Sequence, residues 1–162
     1  MNSYRLCSRI IELLKERCWK ISTVESCTGG MIASSLVDVP GASDVLEEAF
    51  VTYCDRAKHE LVGVSRKTLD TYTAVSRECC REMALGGAER AGSDICLSAT
   101  GYAGPEGTPE EPAGLVYVGC ALHGRTEVLE LHLEGGRNEV RRQAADRALL
   151  LAVEMLENER DS

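Results

Sequence analysis

Val24-Glu25-Ser26-Cys27-Thr28-Gly29-Gly30 is the stretch whose reading decides the fold. On its amino side, Ile21-Ser22-Thr23-Val24 is short, β-branched and alternating, the pattern of a strand. On its carboxyl side, Met31, Ile32, Ser35, Leu36 and Val39 recur at helical spacing. A strand that passes through a glycine turn into a helix is an α/β unit, and such folds gather their chemistry at strand carboxyl ends. Gly29 and Gly30 let a ligand approach the main chain closely, at a helix start whose free N–H groups favour anions. The same residues also fit a plain capped helix, with Ser26 or Thr28 as N-cap.

Working outward, Leu6, Ile10, Leu13 and Leu14 form the apolar stripe of an opening amphipathic helix, and Trp19 behind it is a packing anchor. Ser43 caps a short helical turn expected over Asp44 to Glu48, after the turn residues Pro40 and Gly41. A second strand is expected over Phe50 to Cys54. Asp55 then caps a short helix, Ala57 to Val62, ended by Gly63. Lys58 falls in the first turn of that helix, against the dipole, so it is held by a carboxylate, eased toward its neutral form, or simply solvated. Helices are expected over Ser65 to Tyr72 and from Ser76 to Gly92, the latter with Cys79, Met83, Gly86 and Gly87 on its packing side.

Asp94 to Thr100 reads as a strand buried on both faces. It enters a long glycine- and proline-rich loop, Gly101 to Gly114, with three of the four prolines, where function tends to sit. Leu115 to Leu122 and Glu127 to Leu133 form a hairpin about His123-Gly124-Arg125-Thr126, with His123 and His132 read as surface residues. A final amphipathic helix spans Asn138 to Asn158, with Arg137, Arg141 and Arg142 crowded at its start, where a nearby anion would hold them. Parallel crossovers plus an antiparallel hairpin give an α/β fold, a three-layer α/β/α sandwich with a mixed parallel/antiparallel sheet.

A chain of 162 residues with 44% hydrophobic and 27% charged content is one globular domain. The net charge of −8 opposes general affinity for nucleic acid or an acidic membrane surface. Eight cysteines occur without a CxxC pair or zinc-ligand spacing, so they read as buried free thiols in a cytoplasmic protein with no metal. The residues that carry chemistry are hydroxyls, glycine N–H groups, Lys58 and arginines, with no histidine among them. A serine without histidine can take a neutral, desolvated lysine as its base, an arrangement suited to amide hydrolysis. The SxxK spacing is absent, so the fold itself must bring Ser26 to Lys58.

The blocks Val24 to Gly30, Pro40-Gly41-Ala42-Ser43, Phe50 to Lys58, Leu61-Val62-Gly63-Val64, Ala74-Val75-Ser76, Thr100 to Pro105 and Pro112-Ala113-Gly114 resemble, in order and spacing, the CinA C-terminal domain family. That family is also known as nicotinamide-nucleotide amidohydrolase. The resemblance covers residues 1–162 as one domain and looks like a stand-alone form, without the nucleotide-processing domain of longer members. It implies hydrolysis of the carboxamide of nicotinamide mononucleotide (NMN) to nicotinate mononucleotide and ammonia, with no metal or other cofactor. Ser26 would be the nucleophile and Lys58 its base. Thr28, Gly29, Gly30, Ser43, Tyr53, Thr100, Gly101, Arg137 and Arg141 would bind substrate, in a homo-oligomer. The chain departs from the family pattern at Cys54-Asp55-Arg56, Tyr102 and Gly136. A non-catalytic pyridine-nucleotide-binding module, or a scaffold without a ligand, are the alternative readings.

Overall fold

The computed structural model describes residues 2–160. Their elements run α1 (Ser3–Arg17), β1 (Ile21–Glu25), α2 (Met31–Val37), a 3-10 turn (Ala42–Asp44), β2 (Leu46–Val51), α3 (Asp55–Val62), α4 (Arg66–Tyr72), α5 (Arg77–Ala91), β3 (Ile95–Gly101), β4 (Leu115–Leu122), β5 (Arg125–His132) and α6 (Arg137–Arg160). One sheet has the order β2-β1-β3-β4-β5. β1 pairs parallel with both β2 and β3, whereas β3–β4 and β4–β5 are antiparallel. The expected α/β sandwich with a mixed sheet is the fold found.

Alternation along β3 shows how the layers divide. Ile95, Leu97 and Ala99 join the larger core with α1, α2 and α6, while Cys96 turns to the smaller core under α5. Ser98 follows Cys96 and donates to Cys80 O of α5 at 2.8 Å. Small residues let α5 come this close. A Cβ on Gly86 would lie 1.7 Å from Val62 O of α3, and one on Gly87 would lie 2.3 Å from Val24 Cγ2 of β1. Alanine favours a helix over glycine by about 1 kcal/mol, yet a backbone oxygen cannot yield that space, so packing rather than propensity sets these residues. No helix among the described residues is long and apolar enough to cross a membrane.

Several local expectations are corrected. The short helical turn lies over Ala42–Asp44 rather than Asp44 to Glu48: it starts after Gly41 (φ 97°), with no side-chain cap from Ser43, and Leu46–Val51 is already strand β2. Pairing with β1 overrides local preference here, and the exposed edge tolerates Glu47 and Glu48. β2 therefore ends at Val51, short of Cys54. Asp55 is the first residue of α3, and Cys54 takes the N-cap position. His123 and Gly124 (φ 47° and 81°) make a two-residue turn, tighter than the four residues expected. His123 also meets Trp19 edge-on, with ring centroids 4.5 Å apart, and lies 3.0 Å from Asp94. Six cysteines are buried free thiols as read, but Cys18 and Cys54 are exposed.

The turn after β1 is capped by neither Ser26 nor Thr28. Gly30 (φ 103°) is the N-cap of α2 and offers no side chain. Glu25, fully buried, supplies the anion instead: its carboxylate accepts from Ile32 N at 2.8 Å, Ala33 N at 3.1 Å and Thr28 Oγ1 at 2.8 Å. The anion-binding capacity expected of Gly29 and Gly30 is thus filled by the chain itself. Because an amide offers one acceptor and turns its NH2 toward these donors, Glu25→Gln should cost about 2–4 kcal/mol of stability. Urea unfolding measures this, and an unchanged midpoint would refute the capping role.

Candidate active site

Parallel pairing carries Ser26 and Lys58 to the same place. Ser26, one residue beyond β1, donates its N–H to Ala99 O of β3 at 3.0 Å, and Thr52, one residue beyond β2, donates its own to Glu25 O at 2.8 Å. The chain then turns into α3, whose Lys58 points back beneath the strand ends. Lys58 Nζ lies 2.9 Å from Ser26 Oγ, 2.7 Å from Thr52 O and 3.5 Å from Tyr53 O. The lysine is 1% exposed and the serine 8%.

All three of these partners are neutral oxygens, so nothing among them repays the loss of water around an ammonium. Burial accordingly holds Lys58 below the ordinary lysine range, and Asp55, on the same helix, opposes this only in part. Thiolates at Cys79 or Cys27 would favour the ammonium too. Burial, however, pushes those thiols up to about 12 and about 11, so both are neutral at pH 7 and give no such support. The same effect sets Cys27 apart from its neighbour Ser26. Cys27 stays a thiol, while Ser26 has the Lys58 amine in hydrogen-bond contact.

The pair opens into a cleft of about 290 Å³, near the lower end for ligand sites. Of the residues expected to bind substrate, Tyr53, Thr100, Gly101 and Arg137 line it. Thr100 Oγ1 donates to Ala74 O at 2.9 Å, which fixes its rotamer. Arg137 donates to Gly104 O at 2.7 Å and to Tyr53 Oη at 3.3 Å, bridging the glycine-rich loop and the start of α3.

The remaining candidates lie elsewhere. Thr28 is fully buried against Glu25. Gly29 N–H closes the turn onto Ser26 O at 3.1 Å, and Gly30 caps α2. Arg141 is engaged with the main chain, donating to Cys27 O at 2.9 Å and Thr28 O at 3.1 Å, so it braces the turn that carries Ser26 from behind. Ser43 sits in a separate apolar depression with Val37, Val39 and Leu46. Sequence reasoning missed Cys27, Asp55, Val75 and Glu106 as cleft residues, whereas Tyr102, singled out as a departure from the family pattern, does line the cleft. Tyr102 and Glu106 belong to the loop already singled out, and Asp55 flanks Lys58. Val75 carried no local signal, since it arrives only through the packing of α5.

Comparison with known proteins agrees with this architecture. The family model described as CinA C-terminal domain matches residues 3–156. A CinA-like protein of Kosmotoga olearia is 49% identical over 141 residues, covering 86% of this chain and 34% of that protein. A putative competence-damage inducible protein of Clostridium beijerinckii is 48% identical over 83% of this chain and 33% of its own length. The chain thus spans about a third of the curated relatives it matches. Among solved structures, a competence-damaged protein superfamily member from Klebsiella pneumoniae superposes with TM-score 0.93 at 34% identity, covering 98% of this chain and 99% of that one. A competence/damage inducible protein from Agrobacterium tumefaciens gives 0.89 at 37% identity, covering 94% and 95%. Agreement in sequence and in backbone along nearly the full length places the chain in the CinA C-terminal domain family.

Proposed function

We propose that the cleft hydrolyses the carboxamide of nicotinamide mononucleotide, giving nicotinate mononucleotide and ammonia. The observation that carries this reading is the 2.9 Å contact between Ser26 Oγ and the buried Lys58 Nζ. A neutral Lys58 keeps two N–H groups for Thr52 O and Tyr53 O, which leaves its lone pair aimed at the Ser26 hydroxyl. Ser26 Oγ attacks the carboxamide carbon as its proton passes to Lys58. The resulting ammonium returns that proton to the amide nitrogen, which leaves as ammonia from an acyl-Ser26. Water then attacks the acyl group, with Lys58 again as base, and the carboxylate product departs.

The oxyanion needs donors already in place. Gly29 N–H is spent within the turn, so that expectation passes to Cys27. Its N–H follows the nucleophile directly and has no backbone acceptor among the described residues, and Cys27 lines the cleft. Arg137, exposed at the cleft, suits the phosphate.

Two outcomes are expected. Ser26→Ala should abolish ammonia release from NMN, and Lys58→Met should lower kcat/KM by at least about 10²-fold. Both variants retaining the full rate would end the proposal. Because the base acts unprotonated, kcat/KM should rise with pH through a midpoint below 10.5, the ordinary lysine value. A rate that falls as pH rises through this range would contradict the role given to Lys58.

A further inference from the structure

Besides the Ser26–Lys58 pair, the cleft is lined by two carboxylates, Asp55 and Glu106, and two phenols, Tyr53 and Tyr102. The nearest cation in sequence to Asp55 does not neutralise it. Arg56 pairs with Glu60 at 2.7 Å instead. Arg137 is turned to Gly104 O and Tyr53 Oη, and Lys58 is held toward its uncharged form. Burial and the nearby Glu111 carboxylate hold the Tyr102 hydroxyl above its ordinary range, so that ring stays an uncharged phenol whose face can meet a cation. Negative charge and π-density therefore outweigh free positive charge where a ring would sit beside the nucleophile.

We propose that this acidic, aromatic wall selects a carboxamide carried on a cationic ring over the same carboxamide on a neutral ring, with Asp55, Glu106 and Tyr102 as the specificity-determining residues. The proposal rests on the amidase reading above and adds what recognises the ring. An N1-substituted pyridinium carries its positive charge within the ring that bears the carboxamide. When the carboxamide is docked at Ser26, a cleft-lining carboxylate or ring face meets that charge. Each exposed contact of this kind is worth only a few-fold in affinity, so the combined preference is about tenfold. Hydrolysis replaces the neutral amide by a carboxylate, which the same wall repels, so product release is favoured by the groups that drew the substrate in.

The test uses the Ser26→Ala protein, which leaves the ligand intact, and compares by calorimetric titration NMN with its 1,4-dihydro form. The two share ribose, phosphate and carboxamide and differ in ring charge. NMN should bind about tenfold tighter. Adding Asp55→Asn, Glu106→Gln and Tyr102→Leu should shrink that preference to within about twofold while affinity for the dihydro form persists, which also reports that the variant is folded. Equal affinities in the Ser26→Ala protein, or an undiminished preference in the combined variant, would overturn the proposal. Failure to bind either form would instead overturn the amidase reading and this inference with it.

Discussion

The contact between Lys58 and Ser26 depends on two parallel strands ending side by side. β1 and β2 keep register from Ser22 opposite Glu48 to Glu25 opposite Val51, and the ladder continues one step further through Thr52 N–H onto Glu25 O. Only this juxtaposition brings residues 26 and 58 together, since neither shares an element with the other. The rest of the molecule holds that meeting point. Glu25 fixes the turn from inside and Arg141 from behind, while α5 presses α3 toward the sheet through glycines that leave no room for a Cβ. Ser26 stands on a turn whose donors and acceptors are largely committed before any ligand arrives.

Burying a lysine in such a place is costly unless it gives up its proton. An ammonium stripped of water costs several kcal/mol, and two or three carbonyl or hydroxyl oxygens do not recover that. A neutral amine loses far less and can still donate to Thr52 O and Tyr53 O. Desolvation is the dominant influence on Lys58, and it acts in the direction a general base requires. The buried thiols around it remain protonated, so they fill space without disturbing this balance.

Much of this was legible in the sequence because the signals were local. The β-branched run at Ile21, the capping serines Ser65 and Ser76, the terminating glycines Gly63 and Gly92, and the continuous apolar run after Asp94 all encode their own boundaries. The start of β2 was not legible, because Leu46 to Ala49 has no strand pattern of its own and becomes a strand only by pairing with β1. The cap on α2 was hidden because its donor of charge, Glu25, lies five residues before the N-cap Gly30 and faces inward. Arg137 and Arg141 look equivalent in sequence, four residues apart on one helix. One reaches the cleft and the other the back of the turn that carries Ser26, a difference set by where α6 crosses the sheet. The Ser26–Lys58 pairing itself could be proposed from residue types, but its distance was a property of the fold.

The protonation state of Lys58 is the quantity on which this account stands, and it can be observed directly. The chain has four lysines, Lys15, Lys20, Lys58 and Lys67, so an NMR titration of protein labelled at lysine Cε should resolve them individually. The account predicts that the Lys58 signal titrates below the other three in wild-type protein. Titration of Lys58 together with or above the other lysines would contradict it.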